Sequence, residues 1–328
     1  MKAAYYERTG PARDVLILGD LPDPEPGPGE VRVRLQWSGV NPSDVKSRAG
    51  LRPGPMPYPR VVPHSDGSGV IDRVGEGVPK SRLNQRVWVW NAAWGRPYGT
   101  AAQYVALPAR QAVPLSDAVP LEAAACFGIP ALTAVHALQC HGGVRDKTVL
   151  VAGGAGAVGH YGVQFARLLG ARHVFATVSS PEKAALARQA GANTVIDYRR
   201  ENVLEAVRSL TQGVGVDRVI EVDIAANGNL DAELIRPGGE IVVYGSGARE
   251  FALPFLPLIV RNVSLHFFIV YNLTDEDRES AEAALSQAIM QGRLQHNIAE
   301  RLPLSDIAAA HELVESGRPI GNVVLSTA

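Results

Sequence analysis

The chain has 328 residues, 46% hydrophobic and 20% charged, with a formal net charge of −1 from 32 basic and 33 acidic side chains. At ~150 residues per domain that length suits two cores, and the balance excludes a disordered chain. The basic residues are scattered, which excludes the concentrated positive face of a nucleic-acid binder, and nucleic acid is not expected as a partner.

The N-terminal stretch Met1 to Tyr6 lacks the apolar core of a signal peptide, and no run of ~18 apolar residues could span a bilayer, so a cytoplasmic protein with no membrane partner is expected. The first third is dense in proline and glycine, as in residues 21–30, and carries short alternating runs at 31–35, 69–74, 86–90 and 102–106. Turn residues punctuating period-two runs predict an antiparallel unit whose strands pack as a small barrel. Near residue 121 the texture changes to helix formers at helical spacing, in 121–127 and 131–138, and a domain boundary is expected there. The only cysteines, Cys126 and Cys140, stand in apolar surroundings, suit a reducing compartment and read as buried thiols.

From Thr148 strand-like and helix-like segments alternate, at 149–152, 158–169, 174–178, 181–190, 194–197, 203–211, 218–222 and 241–244. Repeated βα units of this length predict a parallel sheet covered by helices, a doubly wound α/β domain. The tail predicts a strand over 263–271, amphipathic helices near 275–291 and 304–316, and a closing strand over 322–325. It is too small for a core of its own and is expected to fold back on the first domain. The expected division is therefore 1–122 with 266–328 as one domain and 123–265 as the other. The apolar strand 263–271 at the edge of the nucleotide-binding sheet would leave backbone groups open, and pairing with a second copy predicts a homodimer, or a homotetramer.

Residues 148–159 contain G-x-G-x-x-G as Gly154, Gly156 and Gly159, after a strand and before a helix. In that setting glycines tighten the turn, let the backbone approach a pyrophosphate and let helix and strand pack closely, while the amides at the helix start, including Ala157 and Val158, favour an anion. The end of the next strand chooses between the nicotinamide cofactors, because an acid there would bond the adenosine ribose and repel a 2′-phosphate. Ser179 stands at that position, followed by Ser180 and, one helical turn on, Lys183, with Glu182 pointing away. The pattern predicts NADPH.

With these features in place the chain resembles the medium-chain dehydrogenase/reductase superfamily over nearly its whole length, and within it the zinc-free, zeta-crystallin-like quinone oxidoreductases. The matching stretches are 38–42 (Ser-Gly-Val-Asn-Pro), 128–134, 155–159, 220–222 and 238–246. The resemblance implies a Rossmann doubly wound domain plus a GroES-like, mainly-β catalytic domain. It implies that Asn41 and Thr133 lie beside the nicotinamide, that Lys183 and Tyr198 help hold the 2′-phosphate, that backbone around Val222, Gly245, Ser246 and Phe268 lines the dinucleotide, and that Asn322 closes over it. Family members often carry tyrosines flanking the quinone pocket where this chain has Lys46 and Arg52. The pocket is therefore expected to suit a more polar or anionic acceptor, and Asn41, Lys46, Arg52 and Thr133 make up the expected catalytic set.

Zinc-dependent relatives need thiolate and imidazole ligands with a water in the fourth position. At the corresponding positions this chain has Asn41, His64 and Ile129. No metal is expected, and His64 reads as a hydrogen-bonded residue of the first domain. Without a metal, and without the Ser-Tyr-x-x-x-Lys signature of short-chain reductases, the remaining chemistry is direct hydride delivery to a ready electrophile. NADPH-dependent quinone reduction is the leading expectation. Reduction of an α,β-unsaturated carbonyl, either an enone or an enoyl thioester, is the alternative. A non-catalytic NADPH- or RNA-binding crystallin-like protein stands behind both, and the intact cofactor motif and the scattered basic residues speak against it.

Overall fold

A computed structural model describes residues 1–52 and 54–327. The chain forms two compact units, Met1–Pro130 with His296–Ala328, and Ala131–Gln295.

The first unit is built on a seven-stranded sheet in the order Ile298–Pro303, Asn322–Ser326, Glu30–Val40, Gly67–Val74, Arg86–Val89, Ala112–Pro114, with Tyr104–Pro108 also paired to Glu30–Val40. Pairing is antiparallel except between the first two strands. The 11-residue strand Glu30–Val40 serves three partners because its two halves are shared: residues 30–34 bond Tyr104–Pro108 and residues 37–40 bond Asn322–Ser326. Register shifts in its pairing with Gly67–Val74, one at Asp72 of that strand and one at its own Gln36, raise the twist that lets one strand turn toward two neighbours. Its period-two alternation buries Val31, Val33 and Leu35 against Ile71, Val87, Val89, Val105 and Leu107. A second cluster packs the returning tail, through Leu304, Ile307, Ala310, Val323 and Leu325, onto Ala3, Ala4, Ala101 and Ala102.

The second unit is a six-stranded parallel sheet in the order Thr194–Asp197, His173–Val178, Thr148–Val151, Val216–Glu221, Ile235–Val243, Ser264–Phe267. Numbered along this unit the order is 3-2-1-4-5-6, the Rossmann arrangement, whose order reverses at Thr148–Val151. That strand is buried along its whole length, as a parallel strand covered on both faces must be. Arg218, fully buried on the neighbouring strand, has its guanidinium on Glu240 and on the carbonyls of Ala137, Leu138 and His141. It thereby satisfies the open C-terminal end of the helix Leu132–Gln139.

Two expectations shift. The units divide at 130/131 and 295/296, not at 122/123 and 265/266. The helix-rich texture begins early because Leu121–Ala124 still packs on strands of the first unit, and the chain passes on through a π-helical turn, Phe127–Ala131, that contains Pro130. The tail is split: Ser264–Phe267 closes the parallel sheet and the helix Asp275–Met290 packs on Leu132–Gln139, while only residues from 296 return to the first unit. The helices Ile224–Leu234 and Phe255–Val260 have no counterpart among the predicted elements.

Candidate functional site

In the second unit the strand Thr148–Val151 leads into the glycine turn and the helix Ala157–Leu168. Gly153, with φ of +66°, donates its N–H to Thr177 Oγ1 at 3.1 Å, and Gly154 N–H donates to Thr177 O at 3.0 Å, so the adjacent strand fixes the turn. A Cβ on Gly154 would sit 2.6 Å from Ala176 Cβ, and one on Gly159 would sit 2.1 Å from Gly153 O. Gly154 thus permits turn-to-strand contact and Gly159 permits the helix to seat on the turn. Gly156 caps that helix without a side-chain hydrogen bond, and no acid stands in its first turn. The amides of Ala157, Val158 and Gly159 therefore have no partner within the helix, which fits a pyrophosphate.

The strand His173–Val178 ends at Ser179 and Ser180. Ser180 Oγ accepts from Lys183 N–H at 3.3 Å and caps the helix Pro181–Gln189, while Lys183 Nζ donates to Ser179 Oγ at 3.0 Å. The ammonium is thereby drawn back over the strand end. Tyr198 N–H donates to Val178 O at 3.0 Å, which puts the exposed Tyr198 ring on the next strand end, and Arg199 and Arg200, which the sequence reading did not single out, follow it. Serine hydroxyls, an ammonium and a phenol without a carboxylate among them suit a phosphate monoester.

On the other side of the turn, Gly245 lies against Val222, whose carbonyl oxygen would be 2.2 Å from a Cβ there. Ser246 Oγ donates to Ala248 O at 2.7 Å, so its hydroxyl is committed within its own loop. Phe268 N–H donates to Val243 O at 3.2 Å and its ring meets His136 edge-on at 4.7 Å. Beneath Val222, Glu221 and Asp231 form a buried carboxyl pair. Burial and the facing Glu221 push Asp231 up to about 9, so the pair keeps a proton at neutral pH. Thr133 is buried in the first turn of Leu132–Gln139.

In the first unit Asn41 precedes the helix Pro42–Arg48 and donates its N–H to Asp44 Oδ2 at 2.8 Å. Its side chain donates from Nδ2 to Oδ1 of the fully buried Asp66 at 2.8 Å. Burial pushes Asp44 up to about 7, against the Asn41 hydrogen bonds and the Arg52 charge, which both pull it down. Lys46 is exposed on the same helix, and the Arg52 guanidinium lies 5.2 Å from the centre of the Trp94 ring. Asn322 differs from its expected role in one respect: its N–H and its Nδ2 both donate to Asn297 O, at 2.9 and 3.1 Å, so its amide nitrogen is tied to its own unit.

The three positions where zinc-dependent proteins hold ligands offer an amide, an imidazole and a hydrocarbon. The imidazole is spent: His64 Nδ1 bonds Ser38 Oγ at 2.8 Å and His64 Nε2 bonds His311 Nε2 at 2.9 Å, with both rings fully buried. Burial holds His64 well below the usual imidazole range and His311 at about 3, so both stay neutral. Among the described residues no three His, Cys, Asp or Glu side chains gather as a metal site. This donor set does not fit catalytic zinc. Asp66 and His311 were not singled out from the sequence.

Residues 27–117 match the family profile "Alcohol dehydrogenase GroES-like domain", and residues 157–287 match "Zinc-binding dehydrogenase". A quinone oxidoreductase of Pseudomonas aeruginosa is 32% identical over 317 residues, 95% of each chain. This protein belongs to the quinone-oxidoreductase-like medium-chain dehydrogenases/reductases. Another member, a 2-haloacrylate reductase of a Burkholderia species, is 30% identical over 336 residues, 99% of this chain and 98% of that one. Among solved members, an NAD-dependent alcohol dehydrogenase superposes with a TM-score of 0.90 at 30% identity over the whole of both chains. A mycobacterial protein complexed with NADPH superposes with a TM-score of 0.88 at 30% identity, over 99% of this chain and 100% of that one. The fold of the superfamily, a GroES-like β-rich domain and a Rossmann-like parallel-sheet domain, is thus the fold of this chain. Like these proteins it is an enzyme of the reductase type, but among the described residues there is no ligand set of the kind the second profile's description suggests. Among the described residues no helix is long and apolar enough to cross a membrane.

Proposed function

We propose that this enzyme reduces quinones with NADPH by direct hydride transfer and without a metal. The observation that carries the reading is the Lys183 ammonium held on Ser179 at the end of the second parallel strand, where an acid would repel a 2′-phosphate. Gly154, Gly156 and Gly159, with the amides of Ala157 and Val158, hold the pyrophosphate. Ser179, Ser180, Lys183 and Tyr198 hold the 2′-phosphate, and Val222, Gly245, Ser246 and Phe268 line the dinucleotide. Asn41 and Thr133 stand beside the nicotinamide, and Asn322 borders it through backbone or Oδ1. Bound NADPH supplies the hydride. The chain's share of the chemistry is orientation and exclusion of water, because a quinone spreads the incoming charge and its oxygens take a proton from solvent or a nearby donor. Zinc in the superfamily polarises an alcohol or carbonyl, and the amide, spent imidazole and hydrocarbon at the corresponding positions give that role no support.

A second reading, reduction of an α,β-unsaturated carbonyl compound, is favoured by the cations Lys46 and Arg52 and by the likeness to a 2-haloacrylate reductase. These side chains would contact an anionic acceptor. Steady-state turnover of NADPH and NADH against a quinone panel and an unsaturated carboxylate panel separates the two readings. A preference for NADPH is expected, undiminished by chelators. Lys183→Ala should raise the NADPH KM by about tenfold, the loss of one charge-assisted hydrogen-bond partner, and leave NADH unchanged. Equal use of both cofactors, or equal loss of both in the variant, rejects the cofactor assignment.

The assembly we propose is a homodimer, or a homotetramer built from it, through the edge strand Ser264–Phe267. Supporting it are the open backbone edge and the exposed apolar side chains Phe255, Leu256, Ile259, Val260 and Phe267, which a second copy would cover. Two free cysteines support a cytoplasmic setting.

A further inference from the structure

The side chain of Asn41, an expected active-site residue, is held by a fully buried acid. Its Nδ2 donates to Asp66 Oδ1 at 2.8 Å, and its side chain also hydrogen-bonds the Asp44 carboxyl. An amide whose nitrogen donates to Asp66 Oδ1 has one favoured orientation, because turning it over would set its own Oδ1 against that carboxyl oxygen. The group that Asn41 offers a bound partner is then its carbonyl oxygen, an acceptor.

Asp66 is built into its place. Its backbone carbonyl accepts from Thr100 Oγ1 at 2.6 Å and from Gly39 N–H at 3.1 Å. Two glycines open the slot for its side chain: a Cβ on Gly39 would lie 2.5 Å from Asp66 Oδ1, and one on Gly128 would lie 2.7 Å from Asp66 Cβ. The Ile129 backbone hydrogen-bonds the same carboxyl. Asp66 thus joins Asn41 and Ile129, two of the three positions where zinc-dependent members hold the metal. Oδ2 has no partner and no solvent, and burial together with the Asp44 charge pushes the carboxyl well above its ordinary range, toward the protonated form. Cys126 is the other titratable group whose behaviour this carboxyl influences, and its burial keeps it a thiol.

We propose that Asp66 is a positioning residue for hydride transfer: it fixes the Asn41 amide with Oδ1 as the acceptor that meets an N–H or O–H donor of the bound dinucleotide. This rests on the reading that places Asn41 beside the nicotinamide. Where zinc-dependent members use a metal to organise this corner, this chain uses a buried, hydrogen-bonded carboxyl.

The experiment is a double-mutant cycle on turnover at saturating NADPH with a quinone acceptor, with thermal unfolding recorded on each variant. Asp66→Ala should lower kcat by about tenfold with the acceptor KM unchanged, since only the alignment of the reacting centres is lost. Asn41→Ala should lose as much, and the double variant no more than either. Asp66→Asn, which keeps a neutral planar acceptor, should restore kcat. If the alanine variant fails to fold, Asp66→Ser serves in its place, because its hydroxyl draws back from Asn41. Losses that multiply, or an Asp66→Ala enzyme with full kcat, would overturn the proposal while leaving Asn41 at the nicotinamide. An Asn41→Ala enzyme with full kcat would overturn the placement of Asn41 and this proposal with it.

Discussion

The two units hold their polar site residues in opposite ways. In the parallel-sheet unit the groups proposed to bind phosphate are half-exposed and tied to near neighbours: Lys183 to Ser179 and to Ser180, four and three residues away. In the β-rich unit the chemistry is sealed inside and tied across the chain: Asn41 to Asp66 over 25 residues, His64 to Ser38 over 26 and to His311 over 247. A polar group that meets a charged cofactor can remain at the surface and rely on backbone amides. One that orients an uncharged ring must be immobile, and immobility comes from hydrogen bonds buried among packed side chains.

The sharpest break of that comparison is Gly159→Ala. Its new Cβ would lie 2.1 Å from a backbone oxygen that cannot swing away, so the helix must leave the turn. The expected cost is about 2–3 kcal/mol, read as a roughly 100-fold weaker NADPH affinity by fluorescence titration. No comparable loss is expected from a change at the solvent-facing Lys46.

The buried network should show itself next, in the pH dependence of stability. His64, His311 and His160, the last at about 4, have folded pKa values below the unfolded ~6.5, so below that pH the unfolded chain takes protons that the folded chain refuses, and stability is lost as pH falls. Asp44, Asp66 and Asp231 have raised pKa values, so above ~4 the unfolded chain releases protons that the folded chain keeps, and stability is lost as pH rises. Between ~4 and ~6.5 the two trends oppose each other and the curve should be nearly flat. Above that window the loss with rising pH continues, through Asp44 to about 7 and Asp231 to about 9, at up to ~1.4 kcal/mol per pH unit for each. Urea midpoints across pH 4–9 check this, and Asp231→Asn should remove one proton's worth of the alkaline slope.

The smallest effect on binding is expected from Leu256→Asp. It lies on the exposed apolar helix Phe255–Val260, and light scattering should show the assembly falling to monomers with NADPH affinity per subunit unchanged. A wild-type mass equal to one chain would reject the dimer.

What could be read from the sequence follows the same division. The glycine turn and the Ser180 cap with the Ser179–Lys183 contact were legible because each is written in a few consecutive residues. Asp66 was not, since nothing between Ser65 and Gly67 says that an amide 25 residues earlier will meet it. His311 was hidden for the same reason. The helix Ile224–Leu234 went unseen because Asn227-Gly228 inside it reads as a turn, and tertiary packing overrides that local preference; Gly228 is buried there, where a Cβ would meet Leu253. The boundaries slipped because Ala123 and Ala124 have helical texture yet pack on the strands of the first unit, and because Ser264–Phe267 belongs to the sheet it follows.

Arg218 carries a consequence for anyone altering this enzyme. The same side chain ends the helix that begins with Leu132 and Thr133, and it sits four residues before Val222 on the strand leading to the dinucleotide seat. Arg218 therefore ties the helix that carries Thr133 to the strand that leads to Val222. Libraries aimed at a new acceptor should hold 218 constant, even to lysine, whose single point charge cannot serve a carboxylate and three carbonyls together. Diversity belongs at Lys46, where the side chain is exposed on its helix.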